Sequence, residues 1–254
     1  MIHAYACGSP IRKPYVEAAA TSVNAKFHPE ANPGYRGGDA IVWGKIRGAP
    51  ELNARVWGAN CNVYEMDNGY RGRNRYFRIT KNLDQYVALD DRPPDRWEAI
   101  TKKFGGEIRP WTTGHHILIA LSTEWAFKFH GQSLQKWLSG VVQEIRRHTK
   151  RPILVRPKDA KGGIEDQLLN CHALITYMSM AGLDALQMGV PVFCDKKCAV
   201  SPMALPIEEL SSIESPKYPD DRERLFWSLA YQQWTKDELK NGIWKEYAGW
   251  SEYG

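Results

Sequence analysis

The stretch from Arg151 to Asp195, RPILVRPKDAKGGIEDQLLNCHALITYMSMAGLDALQMGVPVFCD, restricts the fold more than any other part of the chain. It reads as a buried strand, a short helix, a second strand, a tight turn into a helix, and a third strand. The second strand ends in Thr176-Tyr177-Met178, and Ser179 can cap the helix that follows, with Gly182 and Asp184 in its first turn. Gly189 is placed to close that helix as the residue just past its end, and Pro191 prevents continuation. A strand–turn–helix of this kind presents unpaired backbone N–H groups and the positive end of a helix dipole, both of which suit a phosphate. An acid one turn into the helix, here Asp184, can accept hydrogen bonds from ribose hydroxyls.

Strand and helix patterns alternate through the rest of the chain as well. The first half gives strands at His3–Cys7, Asp39–Gly44, Cys61–Glu65 and Tyr76–Thr80, with helices at Pro14–Ala25 and Ala49–Trp57. The second half opens with the strand His116–Leu121, then a helix from Ser133 to His148, apolar at Leu134, Trp137, Leu138, Val141, Val142 and Ile145. Such alternation predicts an α/β chain of two small Rossmann-like, doubly wound parallel-sheet domains. Residues 84–114 read as a connector, with paired prolines, a short helix at Asp95–Phe104 and a Gly-Gly break. The expected domains are therefore 1–110 and 111–215. A helical tail, 216–254, carries Phe226, Trp227, Tyr231, Trp234, Trp244, Tyr247 and Trp250 as packing surface across the domains.

Composition narrows the class. No apolar run approaches the roughly 20 residues of a membrane span, and MIHAYACGSPIRK lacks the order of a secretory signal, so a cytoplasmic location is expected. The five scattered cysteines read as reduced thiols, and Cys194–Cys198 lacks the second ligand pair that zinc requires. No catalytic metal is expected. The net charge of +5 is unevenly spread: residues 1–110 hold 17 Lys+Arg against 12 Asp+Glu, while residues 111–254 hold 17 against 17. Arg71, Arg73, Arg75, Arg78 and Lys81 form a run with no acid among them. Such a run can grip a polyanion, or can be a half-exposed segment that merely lacks counter-charges.

The second half resembles the donor domain of GT-B-type glycosyltransferases, in which two Rossmann-like domains face a cleft. The residues that carry the resemblance are Arg156-Pro157-Lys158 after a strand, the helix entry from Ser179 to Asp184, and Ala185-Leu186-Gln187-Met188-Gly189-Val190-Pro191-Val192. The family commonly has Ser…Glu-Ala-x-x-x-Gly-x-Pro-Val here, and this chain has Asp184 for the Glu. The resemblance implies a nucleotide sugar (a UDP-sugar or similar) as co-substrate, no bound cofactor, and transfer of a hexosyl or pentosyl group without a metal. It implies that Arg156 and Lys158 neutralise the diphosphate leaving group, since negative charge develops there. Ser122, Thr123, Ser179 and the N–H groups of Met180 to Gly182 would cradle the phosphates, and Asp184 would hold the ribose. A general base is required if the anomeric carbon inverts, and Glu65, Asp67 and Asp39 are the candidates, the first two preferred. His115-His116 sits at a strand start, which favours a structural part for it.

Compact GT-B enzymes that glycosylate hydroxymethylated bases in phage DNA are an architectural precedent for so short a chain. They make DNA the leading acceptor, met by the basic first half. A cell-envelope glycan is the alternative acceptor, a sugar-nucleotide epimerase the alternative enzyme, and a non-enzymatic nucleic-acid-binding protein the reading from another class. Against the last, no compact reading motif is present.

Overall fold

Two five-stranded sheets organise the chain, whose computed structural model describes residues 1–44, 49–82, 85 and 89–250. The chain opens with β1 (His3–Tyr5), α1 (Lys13–Thr21), β2 (Lys26–His28), β3 (Ala40–Trp43), α2 (Ala49–Gly58), β4 (Val63–Asn68) and β5 (Phe77–Lys81). Next come α3 (Asp95–Phe104), β6 (His116–Ala120), α4 (Glu124–Phe129), α5 (Leu134–His148), β7 (Ile153–Arg156) and α6 (Glu165–Leu168). They are followed by β8 (Cys171–Thr176), α7 (Ala181–Gln187), β9 (Val192–Cys194) and β10 (Leu205–Pro206). Helices α8 (Glu223–Tyr231), α9 (Lys236–Asn241) and α10 (Trp244–Tyr247) complete the order.

The first sheet runs β2-β1-β3-β4-β5, and the second β10-β9-β8-β6-β7. The second is parallel throughout, as the β-α alternation predicts. In the first, β1 to β4 are parallel and β5 is antiparallel to β4. Between β4 and β5 lies only the short turn after Asn68, far less than a parallel crossover needs, so the strands close as a hairpin. That turn starts later than the sequence suggests: Asp67 and Asn68, read as loop, are paired strand residues opposite Arg78 and Phe77.

Burial follows the patterning. Every residue of β8 is buried, as a central parallel strand requires. Ile117, Ile119, Ala173 and Ile175 meet Val141 and Ile145 of α5 on one face of the second sheet. Ser133 caps α5, its Oγ accepting from the Lys136 N–H at 3.4 Å. At the end of α7, Gly189 adopts φ +80°, where a Cβ would run into the Pro110 carbonyl. Glycine is required there by conformation and by space.

The compact units are Met1–Val87 with Leu229–Gly254, and Ala88–Ser228, a division that differs from the one expected at 110 and 215. Its physical cause lies in the connector. Arg109, Thr112 and His115 donate backbone N–H groups to Gln187, Gly189 and Asn170 carbonyls, each at 2.8 Å, so this segment is part of the second unit. Arg222 joins them, donating to the Leu186 carbonyl at 2.9 Å and to the Arg109 carbonyl while lying 3.8 Å over the Trp111 ring. The last residues belong to the first unit. Phe77 and Trp234 exchange backbone hydrogen bonds of 2.8 and 2.7 Å, Trp244 Nε1 donates to Ser22 Oγ at 3.0 Å, and Trp250 packs 4.6 Å from Tyr64.

Candidate functional site

In an open α/β sheet, ligands bind outside the carboxyl ends of the strands where the strand order reverses. In the second sheet β6 is flanked by β7 on one side and β8 on the other, which fixes that point between β6 and β8. The two loops that leave these strands are laced together. Thr176, fully buried, donates its hydroxyl to the Ala120 carbonyl at 2.7 Å and accepts from the Ser179 N–H at 3.1 Å. Ser122 Oγ accepts from the Met178 N–H at 2.9 Å. Ser179 Oγ accepts from the Ala181 N–H at 3.3 Å, and the Ser179 carbonyl takes the Gly182 N–H at 3.1 Å. Ser122 and Ser179, picked out from sequence far apart, therefore stand on neighbouring loops that Thr176 straps together.

The details differ from the sequence reading at several positions. The N-cap of α7 is Met180, with no side-chain cap, and Ser179 precedes it. Gly182 is needed for packing, since a Cβ there would lie 2.8 Å from Val200 Cγ2. Asp184 sits in the first turn of α7, half-buried. Thr123 is the N-cap of α4, also without a side-chain cap bond. Arg156 reaches away from these loops: it donates to Gln167 Oε1 at 2.8 Å and to the Gly162 carbonyl at 2.6 Å. It thereby clamps the loop that carries the exposed Lys158. Beside the loops, Tyr177 stacks on Phe127 of α4 at 4.6 Å, with Trp137 edge-on.

The carboxylates chosen from the first half do not converge. Asp39 precedes β3, at the amino edge of its sheet, and its two oxygens accept from the Asn62 N–H and Asn62 Nδ2 at 2.8 and 2.9 Å. It anchors the entry to β4 and lies at the wrong edge for a base. Glu65 lies inside β4, opposite Val42 and Thr80 and 1% exposed, rather than past the end of the strand. Asp67 is 3.5 Å from Arg78 and also accepts from the Asn68 N–H.

The basic run is likewise divided by the hairpin. Arg78 is 3% exposed and lies 5.3 Å from the Tyr70 ring. Burial alone would lower its pKa, but Asp67, Tyr70 and Glu65 outweigh that and leave it raised, so the guanidinium is a fixed internal charge. Arg71 is half-buried, its N–H donating to Gln233 Oε1 at 2.9 Å, and Lys81 lies over the Tyr64 ring at 5.9 Å. Only Arg73 and Arg75 of the five are exposed. Sequence patterning records that charges are clustered but not that a β-hairpin turns one of them inward.

Among the described residues no group of three or more His, Cys, Asp or Glu side chains could hold a metal ion, and no helix is long and apolar enough to cross a membrane. Cys194 and Cys198 are buried neighbours, and the hydrogen bond that the Cys194 thiol makes to Cys198, with burial, holds that thiol far above its ordinary pKa.

No protein-family model and no curated protein sequence matches the chain. Among solved structures, it is similar to the beta Kdo 2,7 transferase of Thermosulfurimonas dismutans KpsC, with a TM-score of 0.52 and 13% identity over 96% of this chain and 99% of that one. The beta Kdo 2,4 transferase of the same protein aligns with a TM-score of 0.48 and 11% identity over 95% and 97%. At such identities the likeness is one of fold. The chain has a GT-B-like fold, and among the described residues each of its two α/β units is built on a five-stranded sheet.

Proposed function

We propose that the protein is a glycosyltransferase that binds a nucleotide sugar at the carboxyl edge of its second sheet and passes the sugar to a cell-envelope glycan. The observation that carries this reading is the strapped pair of loops at the strand-order reversal, where Ser122, Thr176 and Ser179 hold two turns in one arrangement. The Ser122 and Ser179 oxygens accept backbone N–H groups, which leaves each hydroxyl proton to be donated to a phosphate oxygen. Donors held in place before the reaction stabilise charge on a departing phosphate without having to reorganise. Lys158, presented by the loop that Arg156 clamps, supplies the cation, and Asp184 accepts from the ribose.

The acceptor follows from two considerations. The similar structures are those of beta Kdo transferases, which favours a sugar acceptor of the envelope kind over a nucleic acid. A DNA acceptor needs the run from Arg71 to Lys81 as its backbone contact, and with Arg78 internal and Arg71 and Lys81 half-buried, the strip is too short for a duplex backbone.

Calorimetric titration with cytidine and uridine mono- and diphosphates tests the donor site. At least one nucleotide should bind, and Lys158→Ala should weaken it about tenfold, the effect of one charge-assisted contact. If none of them binds, the donor site is not there. Incubating the protein with sugar nucleotides and either envelope oligosaccharides or hydroxymethylated DNA, followed by mass spectrometry, decides the acceptor.

A further inference from the structure

We propose that the carboxyl edge of the first sheet, at Arg12, binds an oxyanion (a carboxylate or phosphate) carried on a sugar ring. The first sheet repeats the arrangement of the second: β1 is flanked by β2 and β3, so its strand order reverses between β1 and β3. Arg12 stands at the end of the loop after β1, and Trp43 is the last residue of β3. The Arg12 guanidinium lies 5.2 Å from the Trp43 ring centre and 5.8 Å from that of Phe77, whose other neighbour is Tyr15 at 4.0 Å.

One amino group of Arg12 donates to Asn74 Oδ1 at 2.6 Å, which fixes the plane of the fork. The other, Nη1, is buried and has no hydrogen-bond partner. A charged donor shut away from water without an acceptor is costly, the attraction of the aromatic faces offsets only part of that cost, and an oxyanion is the acceptor that a guanidinium fork fits best. Asn74 itself sits in the left-handed region at φ +70°, in a turn closed by Arg75 and Tyr76 N–H groups on the Gly72 carbonyl. The exposed Arg73 and Arg75 flank Asn74 in the sequence and add positive charge to the same turn.

The half-exposed indole of Trp43 beside the guanidinium favours an anion attached to a ring over a free anion. The assignment rests on the transferase reading only in making that sugar the acceptor.

Fluorine NMR of the full chain labelled with 5-fluorotryptophan tests it, with the Trp43 resonance identified by its loss in Trp43→Phe. Titration with glucuronic acid and with glucose 6-phosphate should shift that resonance saturably, and glucose should not; the tighter of the two names the anion. Arg12→Gln should weaken binding about tenfold or more, and Arg12→Lys, which keeps the charge but not the fork, should fall between. The urea midpoint of each variant checks that it is folded. Unchanged affinity in Arg12→Gln overturns the site, and inorganic phosphate binding as tightly as glucose 6-phosphate reveals an adventitious ion only. A nucleotide titration on the same samples reports separately on the second unit. If nucleotides fail to bind while Trp43 still responds, the donor reading falls and this site stands.

Discussion

Thr176→Val removes one hydroxyl and little else, which makes it a sharp probe of the loop architecture in the second unit. The Thr176 side chain is fully buried, donates to Ala120 at 2.7 Å and accepts from Ser179 at 3.1 Å. Valine fills nearly the same volume, so no cavity opens, but the Ser179 N–H is left buried without its acceptor. An orphaned buried donor costs about 1–3 kcal/mol, and the hydroxyl-to-carbonyl bond adds about 1 kcal/mol, giving about 2–4 kcal/mol in all. With a urea slope of about 2 kcal/mol per molar, the midpoint of the second unit should fall by about 1–2 M. Thr176→Ser keeps the hydroxyl and loses one methyl, and should cost about 1 kcal/mol. Hydrogen exchange of β6 and β8 amides in urea isolates this unit, because two units need not unfold together. The same variant should loosen nucleotide binding. A midpoint for Thr176→Val no lower than that of Thr176→Ser would refute the strap.

Three further outcomes follow from other parts of the molecule. His3 Nδ1 and His28 Nε2 share a hydrogen bond of 2.9 Å, and burial lowers both pKa values from the ordinary 6.5. The unfolded chain then binds more protons in acid, so this stabilisation is complete above pH 6.5 and is lost as the pH falls toward the folded values; His28→Gln should flatten the acid limb of a stability-against-pH curve, and an unchanged limb would exclude the pair. Gly189→Ala forces a side chain into the left-handed region and against the Pro110 carbonyl, so thermal denaturation should show a loss of about 3 kcal/mol or more; a loss below about 1 kcal/mol would mean that the connector is not docked as described. Arg78→Leu removes the internal cation that faces the buried Glu65 and the partly exposed Asp67 and should cost about 3 kcal/mol, whereas Arg73→Ala and Arg75→Ala should stay within about 0.5 kcal/mol; equal effects at all three would put Arg78 back at the surface.

Much of the second unit is legible in the sequence because its signals are local. Continuous apolar runs at His116–Leu121 and Cys171–Thr176, the periodic face of α5, and Gly189 before Pro191 each determine their own element. The division between units is not local. It depends on backbone hydrogen bonds from Arg109, Thr112 and His115 to distant carbonyls, which leave no periodicity to read. The three-residue strand β2 is too short to carry a pattern between the helix that ends near Ala25 and the Gly/Pro/Asn-rich stretch that begins at His28. At the candidate site, Ser122 and Ser179 could be chosen because small hydroxyl residues follow buried strands. Thr176 could not, because a threonine in a strand usually signals β-propensity and its strap depends on a carbonyl 56 residues away. Arg78 shows the opposite failure, a charge that looks external until β5 pairs with β4.

The return of the chain to its first unit has a consequence for how the protein is made. Trp234 and Trp244 are almost wholly buried beside Ile41, Tyr64 and Phe77, so the first unit receives part of its core from residues made after the whole of the second unit. The second unit, Ala88–Ser228, is contiguous and can close as soon as it emerges. Synthesis thus reverses the usual amino-to-carboxyl order of domain folding. The nascent first unit waits with an open apolar face for some 140 residues, the span from Ala88 to Ser228. A ribosome stalled just before Leu229 would display a finished second unit tethered to an unfinished first one.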